Sequence, residues 1–474
     1  MGFRKEHDSL GEREIPEDVY YGIQTQRALE NFPVSGIKPH PNFIKASVMI
    51  KIASAKTNTE LGVLDKKIAD AIVKAGWEVI DGQFQDQFVV DVFQAGAGTS
   101  HHMNVNEVLA NRAIEHLGGK KGDYHVVHPN DHVNMGQSTN DVFPTAMRIS
   151  VLISIEGLIP VLKKLEESFR QKGKEFDSVI KSGRTHLQDA APIRLGQEFK
   201  AYSSIIDKAI SNIEEALESL KELSIGGSAV GTGLNTLPEY RTKLIQKLRE
   251  MTSFDLVESK DMIEGIQSMA PFVKLSGTLR LLAIELTKIA NDIRLLSSGP
   301  KTGLAEINLP PLQPGSSIMP AKVNPVMAEV LNMVCFQVIG NDLTISMASQ
   351  AGQLELNVMM PVIIYNLLYS IDILENVLDV FTDKCVDGIT ANVERCKKYV
   401  EESMGLAAAL NYHIGYEKAS EIAKEATAKG KTIRELLIEK NIFSKEEIEK
   451  ILDIRSMTEP GIPGRDKDIS KDKD

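Results

Sequence analysis

The chain has 474 residues, of which 42% are hydrophobic and 25% are charged, and its 65 acidic and 54 basic side chains give a net charge of −11. This length exceeds what one hydrophobic core usually supports, so two or three domains are expected, and the ordinary composition argues against extensive disorder. The acidic balance and the lack of a long Lys or Arg block exclude nucleic acid as an expected partner.

The N-terminal residues and the cysteines indicate a cytoplasmic protein. Residues 1–15 include basic side chains but lack the apolar core of a secretory signal. The three cysteines have no metal-ligand spacing, and their odd number fits a reducing compartment better than a disulfide framework. The longest uncharged run, residues 356–371, contains Pro361 and is too short for a convincing membrane span, so no membrane partner is expected.

The first predicted region, residues 1–140, mixes helical stretches with glycine-rich loops. Residues 106–117 are an example of a helical stretch, and residues 96–100 of a glycine-rich loop. We predict that this region forms an N-terminal domain of helices and loops.

Apolar residues recur at alternating spacings of three and four through the middle of the chain. The strongest of these seams cover residues 199–223, 275–296 and 360–385, and weaker ones cover roughly 145–170 and 326–350. Such a period, sustained for about three heptads, predicts long helices packed with a left-handed supercoil. We therefore predict a mainly α fold whose central domain, residues 141–388, is a five-helix bundle.

The edges of this bundle predict an oligomer and a third domain. Residues 358–364 are apolar beyond one narrow seam, so this helix must be covered on more than one side, and we expect homo-oligomerisation through the bundle. Charged helical segments at 394–402 and 416–429 predict a small C-terminal helical domain, residues 389–474. Its last part, residues 461–474, is charged and contains Gly and Pro, which predicts a flexible tail.

Four separated segments are rich in glycine and short polar side chains, namely residues 96–100, 136–141, 182–189 and 315–325. Glycine lets a backbone approach a ligand closely, and Ser, Thr and Asn supply uncharged donors to carboxylate oxygens. The last segment, GSSIMPAKVNP, holds two hydroxyls, free backbone amides, a lysine and a carboxamide, and its prolines predict an ordered loop. This inventory suits the binding and deprotonation of a small anion.

None of these segments is specific when it stands alone. Residues 138–141 are equally consistent with a helix N-cap, Thr99 is consistent with a turn residue, and His186 alone favours a structural role. The adjacent pair His101 and His102 lacks the spacing of a zinc site, and no complete phosphate-binding or dinucleotide-binding fingerprint is present.

Together, the four segments resemble the active-site regions of the aspartase/fumarase superfamily, in the same chain order. The loop at 315–325 matches the superfamily pattern Gly-Ser-Ser-x-Met-Pro-x-Lys-x-Asn-Pro, and residues 8–22, 231–235 and 340–342 are also similar, so the resemblance covers nearly the whole chain. It implies a three-domain fold in which the long-helix bundle forms the core of a homotetramer with composite active sites. It also implies elimination from a small dicarboxylate to give fumarate.

The resemblance assigns roles to individual side chains. Ser316 would be the catalytic base, and Glu329 would orient His186. The remaining residues would bind the substrate: Thr99, Ser138, Thr139 and Ser317, with the amides of Ile318 and Met319, would hold the β-carboxylate; Lys322, Asn324 and Thr185 would hold the α-carboxylate; Asn140 and His186 would face the amino group. Preorganised neutral donors suit this chemistry because proton removal creates an aci-carboxylate whose oxygens gain charge.

Finer similarities favour aspartate over malate as the substrate. Thr139 stands where fumarases usually have Ser, residues 293–296 lack the fumarase tryptophan, and residues 457–462 resemble bacillus-type aspartases. We therefore expect reversible deamination of L-aspartate to fumarate and ammonia, by β-proton abstraction through an enediolate. The alternatives are class II fumarate hydratase and an inactive homologue, and the complete set of polar residues argues against the latter.

Three residues depart from the aspartase pattern. His128 is more fumarase-like, in a stretch that contributes to a second dicarboxylate site in fumarases. His102 stands where Asn is usual, and Met360 replaces a charged residue, for which extra packing is the simpler explanation. The reaction requires no organic cofactor and no metal, which leaves Mg²⁺ open only as an activator.

Overall fold

The computed structural model describes residues 2–465, so the predicted tail lies outside the described residues from 466 onward. Helices dominate this part of the chain. They are α1 (Ile23–Asn31), α2 (Pro41–Glu60), α3 (Lys66–Ile80), α4 (Thr99–His116), α5 (Thr139–Glu175), α6 (Leu195–Glu218), α7 (Tyr240–Thr252), α8 (Met262–Gln267), α9 (Ala270–Leu296), α10 (Val326–Gln350), α11 (Met360–Lys384), α12 (Val393–Glu402), α13 (Asn411–Ile414), α14 (Tyr416–Lys429), α15 (Ile433–Lys440) and α16 (Lys445–Ile451).

The strands are short and pair in twos rather than in one large sheet. β1 (Phe3–Asp8) pairs antiparallel with β2 (Gly11–Pro16), and β3 (Ile180–Thr185) pairs antiparallel with β4 (Gln188–Arg194). β5 (Glu222–Leu223) runs parallel to β6 (Val257–Glu258), and β7 (Ile307–Asn308) runs antiparallel to β8 (Thr390–Ala391). None of these strand pairs was predicted from the sequence.

Five helices of 24 residues or more confirm the predicted set of long helices within residues 2–465. They are α5, α6, α9, α10 and α11, and α10 has the predicted bounds. The seam predicted to reach Leu223 ends earlier, because α6 stops at Glu218 and Leu223 pairs with Glu258 in a strand. Met360 is fully buried at the start of α11, as expected for a packing residue.

The described chain forms two compact units, and their boundaries fall inside the long helices. The first contains the residues up to Pro160, with Ala209–Ile284 and Val334–Glu375. The second contains Val161–Lys208, Glu285–Met333 and the described residues from Asn376 onward.

Two hydrophobic clusters lie at the ends of the chain. One is built from residues between Ile15 and Val133, and the other from residues between Val400 and Leu452. They fall within the predicted first and third domains. The division at 140 and 388 stays a prediction.

Three helical segments are long and apolar enough, by length and composition alone, to cross a bilayer. These are Thr139–Glu175, Val326–Gln350 and Met360–Gly388, and their most apolar windows are 67%, 39% and 61% buried inside the protein. Burial accounts for the apolar character of the first and third. α10 differs because much of its apolar surface faces outward. The expectation that no membrane is involved stays a prediction.

Gly98 fixes the start of α4. Its φ of 93° lies in the left-handed region, and a Cβ built on it would lie 2.1 Å from ring atoms of Phe143, which is buried. Gly118, just beyond the end of the same helix, also has a positive φ, of 84°, but a Cβ there would meet nothing within 4 Å.

Substituting these two glycines separates backbone strain from the steric clash. Gly118→Ala should lower the free energy of unfolding by about 1 kcal/mol, through its left-handed backbone alone. Gly98→Ala should cost about 1–3 kcal/mol more, because the Phe143 ring cannot move without disturbing the core. Denaturant unfolding of the two variants measures the difference, and equal losses would mean that the Phe143 contact has no energetic role.

Candidate active site

The helix starts of α4 and α5 bring two of the four polar segments together. Thr99 is the first residue of α4 and Thr139 is the first residue of α5. Their hydroxyl oxygens lie 3.3 Å apart, and the Thr99 hydroxyl donates to the carbonyl of Gly96 at 2.7 Å. A helix start carries the positive end of the helix dipole, which favours an anion. Segments 96–100 and 136–141 therefore form one polar surface in the first unit.

Ser138 and Asn140 have contacts of their own at this surface. The Ser138 hydroxyl oxygen accepts the N–H of Asn140 at 3.3 Å, which is the capping geometry left open by the sequence. The Asn140 side chain donates to the carbonyl of Ala229 at 2.8 Å. Because the Ser138 oxygen is the acceptor in this contact, its hydroxyl hydrogen remains free to be donated to a ligand.

Asp141 anchors this region, and the sequence analysis gave it no role. Its carboxylate accepts the N–H groups of Ser138, Gly226 and Ser228, each at 2.9 Å. Burial raises the pKa of this carboxyl to about 6, while the three N–H donors oppose the rise. Asp141 thus ties the start of α5 to the 226–235 segment, part of which carries the family resemblance.

Lys51, a buried lysine that lies behind Thr139, was also not identified from the sequence. His102 Nδ1 is 2.7 Å from the Thr139 hydroxyl oxygen, and its other ring nitrogen contacts the ammonium nitrogen of Lys51. Lys51 lies in α2, in the sequence Met-Ile-Lys-Ile-Ala, and is fully buried. The signal was a lysine in the middle of a run of apolar and small residues, 46–55, in which no other residue is charged, since a lysine buried with such a run must find partners in the interior.

His186 lies at the tip of the β3–β4 hairpin. Thr185 pairs with Gln188, so His186 and Leu187 form the two-residue turn, with φ values of 55° and 60°. Two consecutive left-handed residues are what a tight hairpin turn requires, yet neither is a glycine, so the turn stores strain. The side chains of Thr185, His186 and Leu187 are exposed, with Leu187 at 70%.

A buried ion cluster holds the base of this hairpin. Arg184 donates to both carboxylate oxygens of Glu306, at 2.9 and 3.0 Å, and Glu306 is fully buried. Lys181 contacts the same carboxylate at 3.2 Å and Glu198 at 2.9 Å. Both Arg184 contacts come from the same guanidinium nitrogen, Nη1, and charge-assisted hydrogen bonds of this kind are stronger than neutral ones. The cluster therefore fixes the start of the hairpin, whose strained turn at His186 and Leu187 is exposed to solvent.

The loop at 315–325 is closed by hydrogen bonds between its own ends. The N–H of Gly315 donates to the carbonyl of Lys322 at 2.7 Å, and the Asn324 side-chain amide donates to the carbonyl of Gly315 at 2.7 Å. One Asn324 N–H is therefore used inside the loop, a role that the sequence analysis did not foresee. Ala321 has a φ of 64°, which lets the chain turn back within the ring.

Ser316 is held inside this ring by backbone donors. Its hydroxyl oxygen accepts the N–H groups of Ile318 at 3.2 Å and Met319 at 2.9 Å. Lys322, on the same loop, is exposed and has no ion-pair partner in the part of the chain that the structure describes. The ring therefore presents a hydroxyl oxygen with two N–H donors and an uncommitted cation.

Other predicted residues have fewer contacts. Ser317, Ile318 and Met319 are exposed on the loop. Glu329 lies in the first turn of α10, and no ion pair joins it to His186 within residues 2–465. The predicted pairing of Glu329 with His186, in a site composed of different copies, stays a prediction.

His128 has a local structural role. Its Nδ1 accepts the N–H groups of Asn130 and Asp131, both at 3.1 Å, at the start of a short π-helix, Pro129–Val133. The Asp131 carboxylate lies 3.5 Å from the same ring nitrogen. No group of three or more His, Cys, Asp or Glu side chains with metal-binding geometry occurs among the described residues.

Comparisons with known proteins identify the family of the chain. Residues 11–340 match the family model described as Lyase, and residues 406–459 match Fumarase C C-terminus. Aspartate ammonia-lyase from Bacillus subtilis (strain 168) is 51% identical, with 98% of each chain covered, and that from Escherichia coli (strain K12) is 48% identical, with 96% of each covered.

Solved structures show the same fold. Fumarate lyase:delta crystallin from Brucella melitensis, bound to cobalt, has a TM-score of 0.94 at 49% identity, covering 97% of this chain and 100% of that one. Class II fumarase from Schistosoma mansoni has a TM-score of 0.92 at 39% identity, covering 96% and 99%. The chain therefore belongs to the aspartase/fumarase superfamily and, within it, to the aspartate ammonia-lyases.

Proposed function

We propose that the chain catalyses the reversible deamination of L-aspartate to fumarate and ammonia. The observation that carries the proposal is the ring at 315–325, which holds Ser316 between backbone donors beside an unpaired lysine. The aspartate ammonia-lyase relatives, similar over almost their full length, name the reaction that such a ring would serve.

In this proposal Ser316 removes the proton from the β-carbon of aspartate. The electron pair of the broken C–H bond moves into the adjacent carboxylate to give an aci-carboxylate, then forms the carbon–carbon double bond as the C–N bond breaks and ammonia leaves. A serine hydroxyl is a weak base, and the alkoxide form needs stabilisation. The N–H groups of Ile318 and Met319 supply it, because hydrogen bonds to an ionised oxygen are stronger than those to a neutral one.

The two carboxylates of aspartate need different surroundings. We propose that the β-carboxylate lies against Thr99, Ser138, Thr139 and Ser317, where neutral donors at two helix starts match the charge that develops on its oxygens. Lys322, Thr185 and the remaining N–H of Asn324 would bind the α-carboxylate, with Asn140 and His186 near the amino group.

We further propose that the sites form in a homotetramer, with groups contributed by different copies. α10 supports this assembly because one of its faces carries an exposed strip with heptad spacing: Met333, Phe336, Gly340, Leu343 and Met347. An a/d-type strip of this kind packs against another helix and is unfavourable in water. A second copy of the chain supplies such a helix.

The remaining parts of the proposal concern cofactors and location. No organic cofactor is needed for this elimination, and Mg²⁺ acts at most as an activator. The three cysteines form no disulfide within the described residues, as expected for a reducing compartment, and this supports a location in the cytoplasm.

The substrate is tested by following the ultraviolet absorbance of fumarate. Purified protein should turn over L-aspartate and act on L-malate far more slowly, because the site is proposed to face an amino group with Asn140 and His186. Parallel assays with EDTA and with added Mg²⁺ should differ by less than about 10-fold. Faster turnover of malate than of aspartate would mean that the fumarase alternative is correct.

Replacing Ser316 tests the base. Ser316→Ala should lower kcat by about 10²- to 10⁴-fold, the usual contribution of a positioned proton-transfer group. A matched control is Ser456→Ala, since the Ser456 hydroxyl only donates to the Asp453 carbonyl in the C-terminal segment. If Ser316→Ala keeps more than about a tenth of the rate, Ser316 is not the base.

Replacing Gly315 tests the ring. A Cβ on Gly315 would lie 2.5 Å from the Lys322 carbonyl oxygen, so Gly315→Ala must break the bond that closes the loop. We expect kcat to fall by about 10²-fold through misplacement of Ser316, with the melting temperature nearly unchanged because the loop is exposed. Circular dichroism melting and steady-state kinetics measure both quantities. A large loss of stability with normal kcat would contradict the proposed role.

A further inference from the structure

A buried chain of polar side chains runs from Thr139 into the interior of the first unit. His102 links the Thr139 hydroxyl to Lys51, and the Lys51 ammonium also donates to Asn134 Oδ1 and Gln137 Oε1, each at 2.9 Å. Lys51 is fully buried and His102 is 3% exposed. The backbone groups at the far end of this row of side chains determine the donor and the acceptor of each hydrogen bond in it.

The two amide oxygens must accept hydrogen bonds from Lys51. The Asn134 side-chain NH₂ donates to the backbone carbonyl of Gln137 at 3.1 Å, which leaves its oxygen toward Lys51. The Gln137 NH₂ donates to Ser54 at 2.7 Å and to the backbone carbonyl of Val133 at 3.1 Å. Because a backbone carbonyl can only accept, neither amide can be turned over without losing these bonds.

An ammonium group has three hydrogens, and Lys51 has three neighbouring acceptor positions. Two hydrogens go to the amide oxygens, so the third goes to Nε2 of His102. A neutral imidazole that accepts at Nε2 carries its proton on Nδ1. Nδ1 then donates to the Thr139 hydroxyl oxygen, 2.7 Å away.

The three acceptors, rather than the burial, favour the ammonium form of Lys51. Burial lowers the pKa of Lys51 well below its usual value, and the nearby Asp141 carboxylate opposes that shift. Burial, and then the charge of Lys51, lower the pKa of His102 well below its usual value, which keeps the ring neutral with a single N–H. A buried ammonium with three acceptors and a carboxylate nearby is a fully satisfied charge.

This arrangement determines what Thr139 can offer a ligand. Its oxygen accepts from His102, and the hydrogen of neighbouring Thr99 is used by the Gly96 carbonyl at 2.7 Å. The hydroxyl hydrogen of Thr139 can then point at the Thr99 oxygen, 3.3 Å away at the same polar surface, and this long contact leaves it available to a ligand there.

We propose that His102 and Lys51 are positioning residues that hold Thr139 as a hydrogen-bond donor to the substrate β-carboxylate. This inference rests on the proposed function, in which Thr139 contacts that carboxylate. Asn, the usual residue at position 102 in the superfamily, has an amide that reaches Thr139 but is too short to reach Lys51. In this chain the donor state of Thr139 is coupled to an interior charge.

Neutron diffraction of the deuterium-exchanged protein tests the hydrogen positions without any assay. We expect deuterium on Nδ1 of His102, none on its Nε2, and three deuterons on Lys51. Deuterium on Nε2, or a Lys51 amine with two deuterons, would overturn the inference. This result does not depend on which substrate the enzyme uses, so it stands apart from a failure of the proposed function.

Two substitutions at His102 separate its two hydrogen bonds. His102→Asn keeps a donor for Thr139 but leaves Lys51 without its third acceptor, so we expect a lower melting temperature with kcat/KM for aspartate within about 3-fold of the wild type. His102→Gln reaches Lys51 with its amide oxygen but provides no donor at the Nδ1 position. We expect it to melt closer to the wild type, with kcat/KM lower by about 10-fold, mainly through kcat, because the donor is proposed to act on charge that develops during the reaction.

The opposite order of the two variants is the critical result. If activity simply follows melting temperature across both variants, His102 is a structural residue and the inference is wrong. In a Thr139→Val background, His102→Gln should cause no further loss of kcat/KM, and an additive loss would also overturn it. The matched control is His101→Gln, because His101 is equally buried on the same helix but contacts Ser47 rather than Thr139; it should leave kcat/KM unchanged.

Discussion

The carboxylate of Asp141 is the interaction on which the polar surface of the first unit depends. It collects three backbone N–H groups from two distant stretches of chain, so the first turn of α5 and the 226–228 segment have a fixed geometry. Its charge also opposes the cost of burying Lys51. Without it, the threonine hydroxyls at the two helix starts would lose both their frame and the counter-charge of the lysine behind them.

The long helices could be predicted because their signal is local. An apolar seam with heptad spacing identifies a helix whatever it packs against, and α10 was predicted with the bounds it has. The β3–β4 hairpin could not be found this way. Its strands are short, its turn consists of His186 and Leu187 rather than of usual turn residues, and its stability comes from ion pairs with Glu306, more than a hundred residues away in the chain.

The candidate site was predictable to a similar extent. The superfamily resemblance located the residues that would contact substrate, because these define the pattern. Lys51, Asp141 and the ring closure by Asn324 were missed, since each acts through contacts that depend on tertiary structure. His102 was noticed only as a departure from the pattern, and its meaning appears once Lys51 is placed beside it.

The closed ring at 315–325 has a consequence for the entropy of binding. The backbone bond from Gly315 to Lys322 and the side-chain bond from Asn324 both join the ends of the segment, so its internal torsions are already restricted before any ligand arrives. Any motion of such a segment would carry it as one body about the residues that precede it, where Pro310, Pro311 and Pro314 limit the available directions. Ser316 and Lys322 would keep their spacing through such a motion. Ligand binding would then have to reorient the ring but not order it, so the loss of conformational entropy on binding would be small.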